Sequence, residues 1–127
     1  MTTGAERRKY ARLDLALGIG YRVIGKARDT NDDDPIAAMS SDISLGGLRL
    51  MTPAPLDNGT MLEIEIELKE GEPPIRAEAE VMWQTKISNI SYETGVMIKE
   101  MPNSDKSRFM SFVFDQMAKM VTSPMNG

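Results

Sequence analysis

The sequence predicts a mainly β protein: a six-stranded antiparallel barrel or sandwich with one C-terminal α-helix. Three observations carry that expectation. Apolar and polar residues alternate from Met61 to Leu68, with Leu62, Ile64, Ile66 and Leu68 on one face and Glu63, Glu65 and Glu67 on the other. Short apolar runs recur between Gly, Pro and Asn/Asp breakers with no helical stretch between them, and the period lengthens to three and four only after Ser104. A period of two marks a half-buried strand and a period near 3.6 an amphipathic helix, so the order is strands first and a helix last.

Each element follows from local residue choice. Residues 1–14 lack periodicity and are expected to form a flexible N-terminal arm with a basic motif. Residues 15–24 read as the first strand, in which Gly18 and Gly20 mark a bulge or a close backbone approach. A polar loop containing Asp29, Asp32, Asp33 and Asp34 leads to a second strand at 36–43. A third runs over 47–52, joined to it by the tight turn Ser44-Leu45-Gly46-Gly47, whose glycines are expected to be left-handed. Pro53, Pro55 and Asp57-Asn58-Gly59 break the chain before the fourth strand at 61–68. A fifth at 75–84 places Ala77, Ala79, Val81 and Trp83 on one face, which puts Trp83 in the core. The sixth spans 92–100. From Ser104, the expected N-cap, Phe109, Phe112, Val113, Met117, Met120 and Val121 form the inner stripe of a helix, with Asp105 in its first turn and Pro124 beyond its end. The barrel and helix are assigned to 15–121 and a tail to 122–127. Most of the eleven methionines are expected to fill the core. Met110 and Phe114 fall off the inner stripe and are the residues to offer a partner.

Composition narrows the function. The 127 residues, 41% hydrophobic and 27% charged, suit one globular domain. No apolar run is long enough to cross a bilayer and the first residues lack the apolar core of a signal peptide, so a cytoplasmic location is expected. With no cysteine and no histidine, thiol nucleophiles, the most usual general base and the commonest metal ligands are missing, and an enzyme is not expected. The charge balance of 15 cations against 19 anions gives −4, which argues against coating nucleic acid. Asp29-Thr30-Asn31-Asp32-Asp33-Asp34 begins like a calcium loop, but Asp34 stands where glycine is needed and Ser40 where the bidentate glutamate belongs. No metal or cofactor is expected.

Two patterns remain. Arg8-Lys9-Tyr10-Ala11-Arg12 puts two guanidinium groups four residues apart, on the same side of an extended segment, with Arg7 auxiliary. Asp42-Ile43-Ser44-Leu45-Gly46-Gly47 adds a carboxylate and a hydroxyl two residues apart, then two glycines. Arginine forks match phosphates and purine edges bidentately, and Asp42 and Ser44 can hydrogen-bond a base. Gly47 lets a ligand approach the backbone without a Cβ in the way. On a plainer reading the first pattern is a solvated arm and the second a strand end whose side chains bond nearby backbone.

Taken together, Arg-x-x-x-Arg followed by Asp-x-Ser-x-x-Gly resembles the signature of the PilZ family of bacterial cyclic di-GMP receptors and matches it at every position. The likeness covers about residues 6–121 and extends to Val81-Met82-Trp83 and Gly95-Val96-Met97-Ile98. It implies a six-stranded PilZ-type barrel with a helix near its end. It further implies that Arg8 and Arg12 bind phosphates and guanine edges of cyclic di-GMP, that Asp42 and Ser44 bind guanine, and that Gly47 preserves the close turn. The arm would dock on the nucleotide and change the surface seen by a separate, unknown protein partner in second-messenger signalling. A nucleotide-independent adaptor of the same fold is the alternative, and an oligonucleotide-binding barrel a third. Oligomeric state, monomer or weak dimer, stays open.

Overall fold

The computed structural model describes residues 13–24 and 35–122, with side chains as far as residue 119. Six strands, β1 (Gly18–Val23), β2 (Ile36–Ile43), β3 (Gly47–Thr52), β4 (Met61–Glu67), β5 (Ile75–Ser88) and β6 (Ser91–Glu100), precede one helix, α1 (Asn103–Thr122). They close into a barrel in the order β1-β2-β3-β6-β5-β4, and every pair is antiparallel. Closure leaves no free edge, and side chains at alternate positions fill the interior.

The fourth strand shows how the pattern builds the core. Leu62, Ile64 and Ile66 are all fully buried, facing Ala79, Ala77 and Ile75 across the β4–β5 pair. Burying each large side chain contributes roughly 1.5–3 kcal/mol. Phe109, Phe112 and Val113 of α1 join the same core. Two polar contacts fix the helix: Asp105 Oδ2 accepts from the Arg76 amide at 3.0 Å, and Arg108 donates to the Pro73 carbonyl at 2.7 Å. The first helical bond runs from the Lys106 amide to the Pro102 carbonyl, so Pro102, not Ser104, holds the capping position.

Two β-bulges account for the main departures from simple alternation. In the β5–β6 pair the register shifts between Val81 and Trp83. An extra residue reverses which face each later side chain takes. Trp83 therefore leaves the core for the outer surface, where it is 36% exposed. Gln84 turns inward instead and bonds Thr94 Oγ1 at 2.8 Å and the Leu56 amide at 2.9 Å. No methionine is buried among those with described side chains: Met39, Met82, Met97 and Met110 are exposed, and Met101 and Met117 only flank the core. The β-branched and leucine side chains leave them no room inside.

At β1 no bulge occurs, since its register with both β2 and β4 is unbroken. The glycine there answers a close approach: a Cβ on Gly20 would lie 2.9 Å from the Pro35 ring. The only described residues with positive φ are Gly59 and Gly71. Gly46 and Gly47 are therefore not left-handed.

Candidate functional site on the outer face of the β2–β3 corner

The second bulge shapes the site. Ser40 pairs with Leu50 but Asp42 pairs with Arg49, so Ser41 is the extra residue. Without it Asp42 would face the apolar interior. With it Ile43 enters the core beside Leu48, and Asp42 turns to the outer face of the sheet. There Asp42 is nevertheless 1% exposed, because Arg49 lies across it. Arg49 donates from Nε to Asp42 Oδ2 at 2.7 Å and a second time from Nη2, while its Nη1 stands 3.6 Å from Glu93 Oε2. The hydrogen bond to Asp42 is the chief reason the Arg49 guanidinium is held above its ordinary pKa, against an opposing effect of burial. Asp42 has at least one further interaction besides these.

Ser44 organises the turn that follows. Its amide donates to the Gly47 carbonyl at 2.9 Å, and its Oγ is 3.3 Å from the amides of Gly46 and Gly47. The Gly46 carbonyl accepts from the Ile98 amide at 3.0 Å, which ties the turn to β6. Gly47 is needed for packing: a Cβ would overlap the Val96 carbonyl oxygen. The plainer reading of the motif, side chains bonding local backbone, thus holds for Ser44.

The segment before β1 is pinned along the same strand. Leu13 and Ile43 exchange both backbone bonds, at 2.8 and 2.9 Å. The Leu17 amide donates to Ser40 Oγ at 2.8 Å, and the Ser40 amide to the Leu17 carbonyl at 3.0 Å. Leu13 is 2% exposed and belongs to the core, although the sequence places it in the arm. Arg7, Arg8 and Arg12 themselves, like the acidic loop Asp29 to Asp34, lie outside the described residues.

Asp42, Ser44 and Gly47 are thus brought together, and two neighbours join them: Arg49, which the sequence did not single out, and Trp83, which it placed in the core. Registers run Asp42–Arg49, Arg49–Gly95 and Gly95–Trp83, one row across β2, β3, β6 and β5. A Cβ on Gly95 would overlap the Trp83 indole, which lies over it. The outer face therefore presents a carboxylate, a guanidinium and an indole in sequence. Arg49 could have been found as the cross-strand partner of Asp42 had the bulge been legible. Among the described residues no group of three or more acidic side chains is placed to hold a metal ion.

Sequence and structure comparisons agree on the class. The family profile of the PilZ domain matches residues 6–115, and the chain belongs to that family. The inhibitor of motility MotI/DgrA of Bacillus subtilis shares the fold with a TM-score of 0.66 at 22% identity, over 89% of this chain and 52% of that one. The chain thus spans about half of that protein. A PilZ domain of Xanthomonas campestris, described as a tetramer self-assembled through a helical bundle, gives 0.67 at 10% identity over 90% and 92% of the two chains. The PilZ domain of Escherichia coli YcgR, solved with c-di-GMP, gives 0.63 at 14% identity over 94% and 99%. No curated protein sequence matches the chain.

Proposed function

We propose that this chain is a cyclic di-GMP receptor that acts by binding, not catalysis, and passes the nucleotide's level to a separate partner in the cytoplasm. The observation that carries the reading is the Leu13–Ile43 bridge, which roots the basic arm beside Asp42 and Ser44. Arg12 immediately precedes Leu13 in the sequence, and Arg8 comes four residues before Arg12. Family membership and the complete signature support the same ligand, as does the nucleotide in the YcgR domain.

In this reading Arg8 and Arg12, with Arg7 auxiliary, grip phosphates and guanine edges by charge-assisted bonds. Asp42 accepts from a guanine, Ser44 hydrogen-bonds it, and Gly47 keeps the turn closed. Each arginine contributes about 1.5–3 kcal/mol, so losing both removes about 3–6 kcal/mol. A micromolar complex holds about 8 kcal/mol in all.

A second reading, a nucleotide-independent interaction module, is favoured by one observation: Asp42 and Ser44 already have protein partners in Arg49 and the turn amides. Titration of Trp83 fluorescence with cyclic di-GMP separates the two. The receptor reading expects a saturable change that excess GTP does not abolish. A flat titration up to tens of micromolar protein favours the module.

A further inference from the structure

A concave surface lies beside α1 and reaches Leu45 and Gly46 of the turn that follows Asp42. A groove of 1020 Å³ runs between the first turns of α1 and the strands beside them. Ile98, Met101, Phe109 and Met110 supply its apolar side. On the opposite wall Glu63 stands opposite Glu78 across β4–β5, and Glu78 opposite Glu100 across β5–β6, so three carboxylates follow one another on neighbouring strands.

Like charges directly opposite weaken a sheet. Arg22 compensates Glu63 at 3.0 Å, but the nearby cations of the wall are engaged elsewhere, Arg76 with Glu65 at 3.5 Å and Lys99 with Glu80 at 3.1 Å. Glu78 and Glu100 are exposed and have no ion pair among the described residues. Lys106 stands on the helix wall.

We propose that this groove docks a cationic amphipathic helix of a partner protein, with its apolar stripe on Ile98, Met101 and Met110 and its lysines or arginines over Glu78 and Glu100. Charge complementarity selects the occupant, since an anionic segment would add to a row that already repels itself. Methionine side chains adapt to varied apolar surfaces, and a helix lying in a groove presents anchors at three- and four-residue spacing. An α-helix with its side chains is about 10–12 Å across, and a groove of this volume takes one face of about two turns. This inference goes beyond the nucleotide reading and does not depend on it.

The probe is a capped 16-residue helical peptide of leucine and lysine, with leucine at heptad positions a and d, titrated into the full chain without nucleotide. Saturable one-to-one binding is expected, weakened at least tenfold by Glu78→Lys with Glu100→Lys, and also weakened by Met110→Glu. The pair Asp57→Lys and Glu70→Lys changes net charge equally at exposed turn positions and is expected to leave affinity within about twofold. Equal weakening by both pairs would show general charge attraction and overturn the proposal, as would absence of binding. Tighter binding of a peptide with the sequence of residues 1–12 would assign the groove to the chain's own arm and overturn it as well.

Discussion

Arg49 places its Nε 2.7 Å from Asp42 Oδ2 across the β2–β3 pair, and the bulge at Ser41 is what turns Asp42 toward it. The carboxylate is 1% exposed, so its pairing matters to stability as well as to any ligand. Hydrogen bonds to charged groups contribute about 1.5–3 kcal/mol, and the 36% exposure of the Arg49 side chain screens part of that. Arg49→Met is therefore expected to lower unfolding free energy by about 1–2 kcal/mol, read from the urea midpoint at unchanged slope. A midpoint equal to that of the parent chain would mean the pair contributes nothing.

Gly47 and Gly95 separate two kinds of crowding. A Cβ on Gly47 meets the Val96 carbonyl, part of the backbone that pairs β3 with β6, whereas a Cβ on Gly95 meets the partly exposed Trp83 indole. Backbone cannot move without opening the ladder, but an indole at the surface can swing aside. Gly47→Ala is expected to cost about 2–3 kcal/mol and Gly95→Ala about 1 kcal/mol, in the usual range for overpacking. Only Gly95→Ala should also change Trp83 emission strongly. Thermal melts and fluorescence spectra of the two variants decide the order.

Tyr21 is 1% exposed and its hydroxyl has no hydrogen-bond partner among the described residues. An unpaired buried hydroxyl costs about 1–3 kcal/mol, so Tyr21→Phe is expected to leave stability at neutral pH unchanged or raise it. Burial raises the Tyr21 pKa above its ordinary value of 10.0. Above that value the unfolded chain loses the proton while the folded chain keeps it, so stability falls as pH climbs through and beyond 10. Below pH 10 the two states bind the proton alike and this slope vanishes. Denaturant midpoints of parent and Tyr21→Phe chains, compared between pH 8 and pH 11, should diverge only above pH 10.

Much of the fold was legible because its strands obey simple alternation. The boundaries expected for the second and third strands, 36–43 and 47–52, are those of β2 and β3. What the alternation could not show were the register shifts, above all those at Ser41 and Met82. No residue type announced them, and each of these two reverses the faces after it, which carried Trp83 out of the core and Asp42 away from it. Arg49 was missed for the same reason, since its pairing with Asp42 depends on the extra residue at Ser41. The methionines misled differently: their hydrophobicity suits the core, but Leu, Ile and Val side chains filled it first. Within the candidate site, Asp42, Ser44 and Gly47 could be singled out only by taking their pattern together with the arginine pair, and the bridge at Leu13 could not be read at all, because one β-bridge leaves no periodicity.

Calorimetric titration of the full chain with cyclic di-GMP, beside the Arg8→Ala, Arg12→Ala double variant, tests the central claim most directly. The parent chain is expected to bind with a dissociation constant near or below the micromolar range, and the double variant to show no measurable heat at tens of micromolar protein, as loss of about 3–6 kcal/mol requires. Near-parental affinity in the double variant, or no heat from the parent chain, would contradict it.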